Sequence, residues 1–575
     1  MEATLADQFR AALAQLPDLP DGFAVADVEV EFQTPRDASH GDLATNVALQ
    51  LAKPLRRAPR AIAEALVETI DVDPARVAGL EVAGPGFINV RFASRYLADG
   101  LAEILDAGAS YGRTSDGAGR RALVEYVSAN PTGPLTVGHG RNAVLGDTIA
   151  TLLDWTGWEV DREYYFNDAG RQMRVLGQSV QARYRALVDP ATPTRPLDDG
   201  TVVPESFPDG GYQGAYIVDV AEALRAAHGD GLATDGDAAP FREAAQTAIF
   251  ADIEATLKRL GVEMDSFFNE RDLYETDAIW DVVARLKDAG YVYEDGGATW
   301  FKTSELGKVE TNAEGEEVGK DVVLVKSSGE PTYRLPDIAY HLNKLDRGFD
   351  LAVDVFGADH IATYPDVLRG VRALGGDPGK IDVVVYQFVT LVKGGEPVKM
   401  STRKANYVTL DELMDEVGAD VVRFFFLMRA PGTHLEFDLD LATEASDKNP
   451  VFYLQYAHAR IASIERKAAE TGLRLPDDAP GADLSLLTHE SEEALVKTLL
   501  LFPDEVRQAA DARAPHRLAT YLRDVATAFN QFYRDCRIVG EPDDLATARL
   551  ALAQAARTVL GNGLAILGIS APESM

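Results

Sequence analysis

A tight turn that ends in a histidine is the first feature of this sequence with chemical meaning. Residues 128–147, SANPTGPLTVGHGRNAVLGD, lie between the strand-forming run 120–127 and a helix predicted to begin near His139. The free N–H groups and partial positive charge of a helix N-terminus can hold phosphate. A histidine there can also donate a hydrogen bond to an oxygen that gains charge in phosphoryl chemistry. The alternative interpretation is a histidine that only caps the helix.

A second candidate is the basic stretch VKMSTRKANYVTL, residues 398–410, which follows a predicted strand. Lys399, Arg403 and Lys404 could close over a polyphosphate. The stretch stands out because only 15 of the 56 basic residues are lysine. Taken alone, however, its composition favours a solvated positive loop.

The elements that must position these two stretches alternate between strands and helices. Strands are predicted at 120–127, 158–166, 350–360 and 381–392, with helical sequence following the first and the third. Such alternation predicts an α/β fold with a parallel, doubly wound sheet, whose ligands lie at the carboxyl ends of the strands. A segment near 185–290 is predicted to be an insertion into this domain, because its first half is rich in Asp, Gly and Pro.

Two further domains flank the predicted sheet domain at 113–445. Residues 1–112 are predicted to form a small α+β domain with strands at 23–32 and 81–92. Residues 446–575 are predicted to form an all-α domain of about five helices.

A basic helix entry in the first domain is a candidate phosphate contact. It contains Lys53, Arg56, Arg57 and Arg60. A solvated helix end is the alternative.

The composition describes a large, strongly acidic globular chain. Its 575 residues suggest three or four domains, and 46% hydrophobic residues exclude an acidic disordered protein. The formal net charge of −35 argues against a plain nucleic-acid-binding module, because phosphate contacts come mainly from basic side chains. An acidic surface poor in lysine suits a cytoplasm full of salt, so we expect a halophilic protein.

Cysteine usage and hydropathy exclude other classes. A single cysteine, Cys536, rules out an internal disulfide framework and a cysteine-rich zinc site, and we predict no metal site. The sequence shows neither an apolar stretch long enough to span a bilayer nor a signal peptide. We therefore expect a cytoplasmic protein without membrane association.

Several motifs together resemble the arginyl-tRNA synthetase family of class I. TVGH at 136–139 resembles the HIGH motif, and KMSTR at 399–403 resembles the KMSKS loop. The resemblance extends over nearly the whole chain, through EFQTPRDASHGDLATNVALQLAK (31–53), EYVSANPTGPLTVGHGRNAVLGD (125–147), REYYFNDAGRQM (162–173), YRLPDIAYHLNK (333–344), GADHIATYPDVLRGVRALG (357–375) and YLQYAHARI (453–461). It implies a Rossmann-like catalytic domain, an N-terminal domain that contacts the tRNA elbow and a C-terminal anticodon-binding bundle.

The implied reaction is ATP-dependent attachment of L-arginine to tRNA(Arg) through arginyl-adenylate, with Mg²⁺ entering as part of the ATP complex. Members of the family need tRNA before they form the adenylate. The implied ATP-binding and catalytic residues are Thr136, Gly138, His139, Asp359, His360, Lys399, Met400, Ser401 and Arg403. Two positions depart from the family pattern, because Thr136 replaces the first histidine of HIGH and Thr402 replaces the second lysine of KMSKS.

The resemblance also implies an arginine pocket. Glu125 and Asp337 would accept from the guanidinium, Tyr333 would pack against it, and Ser128 and Asn130 would bind the main-chain groups. Glu125 interrupts an apolar run, and a buried carboxylate is costly without a cationic partner, which favours a ligand role. Asp337 could instead stabilise a helix N-terminus.

For tRNA, the resemblance points to Arg56 and Arg57 in the first domain and to Tyr453 and Arg460 in the last. Most other aromatic residues of the last domain are expected to be core. A monomer is implied. The alternative functions are another class I aminoacyl-tRNA synthetase and a synthetase-derived RNA-binding protein without catalysis.

Overall fold

The computed structural model describes residues 2–575 except 18, 21, 34, 36–39, 169, 199, 235, 313–314, 399–407 and 476–481, and of residues 2 and 3 only the backbone. The helices are α1 Glu2–Ala14, α2 Val47–Leu55, α3 Pro59–Thr69, α4 Ser94–Ala107, α5 Val137–Trp155, α6 Gly170–Val188, α7 Ala215–His228, α8 Ala239–Arg259, α9 Glu270–Glu275, α10 Ala278–Asp288, α11 Arg334–Asp346, α12 Tyr364–Ala373, α13 Leu410–Val417, α14 Ala419–Leu427, α15 Leu439–Thr443, α16 Pro450–Glu470, α17 Glu490–Leu500, α18 Phe502–Asp511, α19 Pro515–Asp535 and α20 Asp543–Ile566. The strands are β1 Leu43–Thr45, β2 Val77–Ala83, β3 Phe87–Phe92, β4 Arg121–Glu125, β5 Glu159–Phe166, β6 Thr194–Pro196, β7 Val202–Pro204, β8 Ser266–Asn269, β9 Val292–Asp295, β10 Ala298–Phe301, β11 Val309–Thr311, β12 Glu317–Gly319, β13 Val322–Val325, β14 Leu351–Gly357, β15 Ile381–Tyr386, β16 Val389–Lys393, β17 Glu396–Pro397 and β18 Leu435–Asp438.

The N-terminal part is an α+β unit, as predicted. Helices α1–α3 cover a three-stranded antiparallel sheet in the order β1-β3-β2. The strand predicted at 23–32 is wrong, because the segment forms a 3₁₀ turn at Val25–Asp27 and none of its residues belongs to a strand. Val28, Val30 and Phe32 are instead partly buried against the helices, so their alternation reflects packing without strand pairing.

The central sheet is parallel, as the alternation of elements predicted. Its five strands follow the order β15-β14-β4-β5-β8. In this register Glu125 on β4 lies between Asp354 on β14 and Glu163 on β5. Three carboxylates therefore cross the sheet side by side near its carboxyl edge.

One prediction within this domain needs correction. The single strand expected at 381–392 is two strands, because the chain leaves the main sheet after β15 and β16 pairs with β17 and β18. The segment near 185–290 contributes the edge strand β8 to the main sheet, and its assignment as an insertion stays a prediction. Helices α7 and α8 of this segment bury Ile217 and Phe241 in the main core.

The C-terminal part consists of helices α16–α20, in agreement with the predicted all-α domain. Its buried side chains continue without a break into the core of the central domain. Arg423 of α14, 1% exposed, donates to the carbonyls of Leu567 and Leu260 and contacts Asp147 of α5 at 2.5 Å. Within the described residues, no helix combines the length and apolar character needed to cross a bilayer.

Candidate active site

The carboxyl end of β4 is held in an unusual backbone conformation. Val127 and Ser128 have φ values of 64° and 39°, a region that costs a non-glycine residue energy, above all a β-branched one. The side chain of Asn142, on α5, holds this turn. Its Oδ1 accepts from the N–H of Val127 at 2.7 Å, and its Nδ2 donates to the carbonyl of Val355 at 2.9 Å. Helix α5 thereby fixes the chain between two central strands.

His139 lies in the first turn of α5, as predicted. The N–H of Thr136 donates to His139 Nδ1 at 3.2 Å, so the proton of the neutral ring is on Nε2. Burial lowers the pKa of His139 to about 4. The ring is therefore a neutral hydrogen-bond donor at physiological pH.

Two glycines of α5 differ in what surrounds them. Among the described residues, a Cβ on Gly138 would meet only Thr136 Oγ1, at 3.7 Å. A Cβ on Gly140 would lie 2.6 Å from Leu410 and 3.0 Å from Phe426. Gly140 is thus required by packing, whereas Gly138 leaves the start of the helix open to a ligand.

Five residues of the basic loop with predicted roles or departures from the motif lie outside the described residues: Lys399, Met400, Ser401, Thr402 and Arg403. The chain immediately after that loop is described, and it touches the start of α5. Thr409 forms a β-bridge with Thr136, and the N–H of Leu410 donates to the carbonyl of Leu135 at 2.8 Å. The segments that flank the two motifs therefore meet.

Asp359 and His360 form a 3₁₀ turn directly after β14, at the ligand edge of the sheet. The His360 ring stacks on Phe356 at 5.1 Å between centroids. Asp359 Oδ2 lies 3.6 Å from His360 Nε2, and both side chains are exposed. Both are accessible to a ligand, and their role in adenosine binding stays a prediction.

Asp337 and Tyr333 lie at the beginning of α11. Tyr333 is 74% exposed, and Asp337 is partly buried. Burial raises the pKa of Asp337, while His341, His360 and Lys344 oppose that rise. No ion pair or side-chain hydrogen bond reaches its carboxylate from the described part of the chain. Asp337 therefore offers an unpaired carboxylate at this edge.

Glu125 is buried, and its two oxygens already have partners. Lys344 Nζ lies 2.5 Å from Oε2, and the hydroxyl of Ser128 donates to Oε1 at 2.9 Å. Lys344 thus supplies the cation that the burial of Glu125 requires. The burial of Glu125 therefore does not by itself favour a ligand role, and arginine binding by Glu125 stays a prediction.

Ser128 and Asn130 differ in availability. The Ser128 hydroxyl accepts from the N–H of Tyr165 at 3.1 Å in addition to its bond to Glu125. Asn130 is exposed. Both lie on the turn after β4, where their predicted contact with the main-chain groups of arginine stays untested.

Several charged residues beside the site were not singled out from the sequence. His341 Nε2 lies 2.8 Å from Asp354 Oδ2, and Arg347 forms a two-bond pair with Glu163 at 2.6 and 2.7 Å. Two patterns in the sequence could have identified these charged residues. Asp337, His341 and Lys344 recur at helical spacing on one face, and Asp354 interrupts the apolar run of β14.

One more buried carboxyl lies near Asp337. Glu270 begins α9, and the Tyr165 hydroxyl donates to its Oε2 at 3.0 Å. Burial raises the pKa of Glu270 to about 7, and Asp337 contributes to the rise. This edge of the sheet is accordingly a place where an added positive charge would be stabilised.

Comparison with known proteins assigns the chain to a family. Three family models match it: the arginyl-tRNA synthetase N-terminal domain at 3–92, the class I tRNA synthetase (R) catalytic domain at 101–423 and the DALR anticodon-binding domain at 454–575. The arginine–tRNA ligase of Salinibacter ruber is 61% identical over 580 residues, and the alignment covers 100% of both chains. The chain belongs to the arginyl-tRNA synthetase family.

Two other members of the arginyl-tRNA synthetase family extend this result. The arginine–tRNA ligase of Desulfotalea psychrophila is 48% identical over 543 residues, which cover 94% of each chain. The solved arginyl-tRNA synthetase of Thermus thermophilus has the same fold, with a TM-score of 0.75, 24% identity and 100% of both chains covered. The predicted family and fold class are confirmed.

The domain boundaries at residues 112 and 445 stay predictions. Helix α4 lies within the predicted first domain, yet its Leu101 and Ile104 belong to the main core. Asn562 of α20 donates to the carbonyls of Gly108 and Tyr111, just after α4. Helix α4 therefore links the three parts of the synthetase.

The residues predicted to face tRNA lie on two surfaces of this arginyl-tRNA synthetase fold. Arg56 and Arg57 are exposed between α2 and α3. On the C-terminal helices, Arg460 lies 4.6 Å from the ring centroid of Tyr456 and donates to Asn530 Oδ1 at 2.8 Å. Asn530 in turn donates to the hydroxyl of Tyr453 at 3.0 Å.

Aromatic residues of the same helices fall into two groups. Phe529 and Phe532 are fully buried, as expected of core residues. Tyr456 and Tyr533 are each 41% exposed beside Arg460. The exposed group is accessible to a ligand, whereas the buried group stabilises the helices.

Proposed function

We propose that this chain joins L-arginine to tRNA(Arg) at the carboxyl edge of its parallel sheet. An arginine carboxylate oxygen attacks the α-phosphorus of ATP, and the bond to the β-phosphate breaks with release of pyrophosphate. A terminal ribose hydroxyl of tRNA then attacks the arginyl carbonyl, and AMP leaves. The observation that carries this proposal is the contact between the start of α5 and the chain that follows the basic loop. Asp337, whose carboxylate has no ion pair among the described residues, supports it.

His139 acts as a donor to the phosphate that reacts. Its Nε2–H is free of the contact that occupies Nδ1, and the neutral ring needs no proton from solvent at physiological pH. A fixed donor of this kind stabilises charge that develops in the transition state. Gly138 admits the nucleotide to the helix start, and Thr136 fixes the imidazole.

The basic loop supplies positive charge to the leaving pyrophosphate. Lys399 and Arg403 carry that charge, and Met400 and Ser401 contribute to nucleotide binding, on the basis of the family motif. Asp359 and His360 bind the adenosine side. ATP enters as its Mg²⁺ complex, so the metal belongs to the substrate.

Asp337 binds the guanidinium of arginine. The guanidinium keeps its charge at all accessible pH values and presents donors in a fork, which suits a carboxylate at the pocket edge. Tyr333 covers the guanidinium with its exposed ring, Glu125 accepts from it, and Ser128 and Asn130 bind the α-amino and carboxylate groups.

The tRNA contacts both ends of the chain. Arg56 and Arg57 contact the tRNA elbow, and Tyr453 and Arg460 contact the anticodon stem and loop. The exposed ring and guanidinium faces beside Arg460 support base stacking. We further propose a cytoplasmic, monomeric and halophilic enzyme.

Pyrophosphate exchange with ATP tests this proposal. The purified chain is incubated in high KCl with Mg²⁺, ATP and labelled pyrophosphate, with arginine and tRNA each present or omitted. We expect exchange that depends on arginine and on tRNA. Exchange supported by a different amino acid would identify another class I activity, and no exchange under any condition would identify an RNA-binding protein without catalysis.

A further inference from the structure

Four charged side chains form a closed cluster beneath the arginine edge. Glu125 ends β4, Asp354 lies on β14, and His341 and Lys344 lie on one face of α11. Lys344 and Asp354 are fully buried, and the other two are 4% exposed. Lys344 Nζ lies 2.5 Å from both Glu125 Oε2 and Asp354 Oδ1, and 4.2 Å from the centroid of the Tyr340 ring.

The hydrogen-bond partners of His341 show that it is charged. Its Nδ1 lies 2.7 Å from the carbonyl oxygen of Asp337, and its Nε2 lies 2.8 Å from Asp354 Oδ2. A carbonyl oxygen and an ionised carboxylate only accept, so both ring nitrogens must carry a proton. Burial opposes the ionisation of Asp354, but Lys344 and His341 outweigh it and lower the pKa of Asp354.

The cluster is therefore neutral as a whole. Burial and Asp354 raise the pKa of Glu125, while Lys344, at 2.5 Å, opposes that rise. With Glu125 ionised against this lysine, two cations, His341 and Lys344, offset two anions, Glu125 and Asp354, in a place where an unmatched charge would be costly. Asp337 lies just outside the cluster and has no such partner among the described residues. Glu125 can still accept a hydrogen bond from a ligand, but its charge is already matched.

We propose that Lys344 is a positioning residue for arginine recognition: it neutralises and orients Glu125, so that the negative charge offered to the guanidinium comes from Asp337. This inference deepens the proposed function and rests on it. It also reassigns Glu125 from a charged ligand to the anchored half of an internal pair.

Charge-balanced variants separate these two roles of Glu125. In Glu125→Gln, the carboxylate is lost while both cations remain, so the cluster gains a net positive charge that repels the guanidinium. In Glu125→Gln/Lys344→Met, neutrality returns, because His341 still matches Asp354. We expect the single variant to raise the KM for arginine by about tenfold or more, and the double variant to recover most of that loss.

The matched control is Glu163→Gln. Glu163 is an equally buried carboxylate on the neighbouring strand, but Arg347 and Tyr340 hold it. Because Glu163→Gln alone leaves Arg347 unmatched, it is measured together with Glu163→Gln/Arg347→Gln, which removes both charges. In that charge-balanced pair the KM for arginine should stay within about twofold. The KM for ATP is measured for every variant, because a merely structural defect would raise both constants.

The result that overturns the inference is a double variant whose KM for arginine equals or exceeds that of Glu125→Gln. Glu125 would then act as a ligand whose charge the guanidinium needs. If Glu125→Gln does not fold, the double variant decides alone: a KM for arginine within about fivefold of the original chain supports the inference, and a larger rise contradicts it. Failure of the proposed function is distinct, since the unaltered chain would then show no arginine-dependent exchange.

Discussion

The proton of His139 lies on Nε2 because Thr136 donates to Nδ1 at 3.2 Å. This arrangement predicts different outcomes for two substitutions. Glutamine can place its amide N–H near the position of Nε2, whereas asparagine can only replace Nδ1. We expect His139→Asn to lower kcat for adenylate formation about 100- to 1000-fold, the usual effect of losing one donor to a developing oxyanion.

His139→Gln should retain most of the rate that His139→Asn loses, as measured by single-turnover adenylate formation. Since the pKa of His139 is lowered to about 4, the ring is neutral at physiological pH and becomes half protonated only near pH 4. Its protonation should therefore not limit kcat near pH 6. Equal rates for the two variants would show that His139 only caps α5.

Asp337 provides a second prediction at the residue scale. Asp337→Asn should raise the KM for arginine about ten- to a hundredfold, because a charged hydrogen bond contributes about 1.5–3 kcal/mol. The KM for ATP should change little. Asp346→Asn, at the exposed end of the same helix, is the control for charge removal from α11. A KM for arginine within about twofold in Asp337→Asn would reduce Asp337 to a helix-terminus residue.

Helix α5 connects the nucleotide end of the site to the core. Most of its residues are buried, and its two early glycines face different surroundings. Gly138→Ala should leave the urea midpoint nearly unchanged, because within the part of the chain that the structure describes its Cβ meets only Thr136 Oγ1, at 3.7 Å. It should raise the KM for ATP by about tenfold, since the methyl group occupies space that the nucleotide needs.

Gly140→Ala is the matched variant on the same helix. Its Cβ would meet Leu410 at 2.6 Å, so overpacking of about 1–3 kcal/mol should exceed the helix-propensity gain of about 1 kcal/mol. We expect a lower urea midpoint. If Gly138→Ala lowered the urea midpoint and left the KM for ATP unchanged, Gly138 would be required by packing and would not admit the nucleotide.

The sequence predicted an element correctly where its local pattern of apolar and turn residues agreed with the tertiary contacts. The strand at β4, the helix α5 and the turn with His139 followed from apolar runs and from the Pro and Gly residues between them. The strand expected at 23–32 failed because its alternating residues pack on helices. Sequence pattern records which side chains are buried, but not whether a backbone partner is present.

The charged cluster could not be assembled from the sequence for a related reason. Lys344 lies 219 residues from Glu125 along the chain, and only the order of the parallel strands brings them together. Burial of Glu125 was predictable from its apolar neighbours. The identity of its partner was not, so a ligand and an internal lysine could not be distinguished.

At the scale of the whole molecule, we expect the net charge of −35 to make stability depend on salt. Repulsion between surface carboxylates should weaken as the Debye length falls from about 30 Å at 0.01 M salt to about 3 Å at 1 M. We expect the melting temperature to rise with KCl over this range. As a control, the melting temperature is also measured in an uncharged osmolyte, which is excluded from the protein surface but does not screen charge. A melting temperature independent of KCl would contradict the halophilic assignment.

The three parts of the chain share contacts that connect the C-terminal helices to the active site. Arg423 joins α5 to the carbonyl of Leu567, and Asn562 holds the chain after α4. The helix that carries Arg460 and the start of α5 thus pack into one continuous core.

Transfer of labelled arginine to a tRNA(Arg) transcript tests the central claim most directly. The reaction contains the full chain, ATP, Mg²⁺ and high KCl, and acid-precipitable label is followed over time. We predict arginyl-tRNA formation that requires ATP and falls sharply in Asp337→Asn at low arginine concentration. Absence of charging by the folded chain, or charging that Asp337→Asn leaves unchanged at low arginine, would contradict the account.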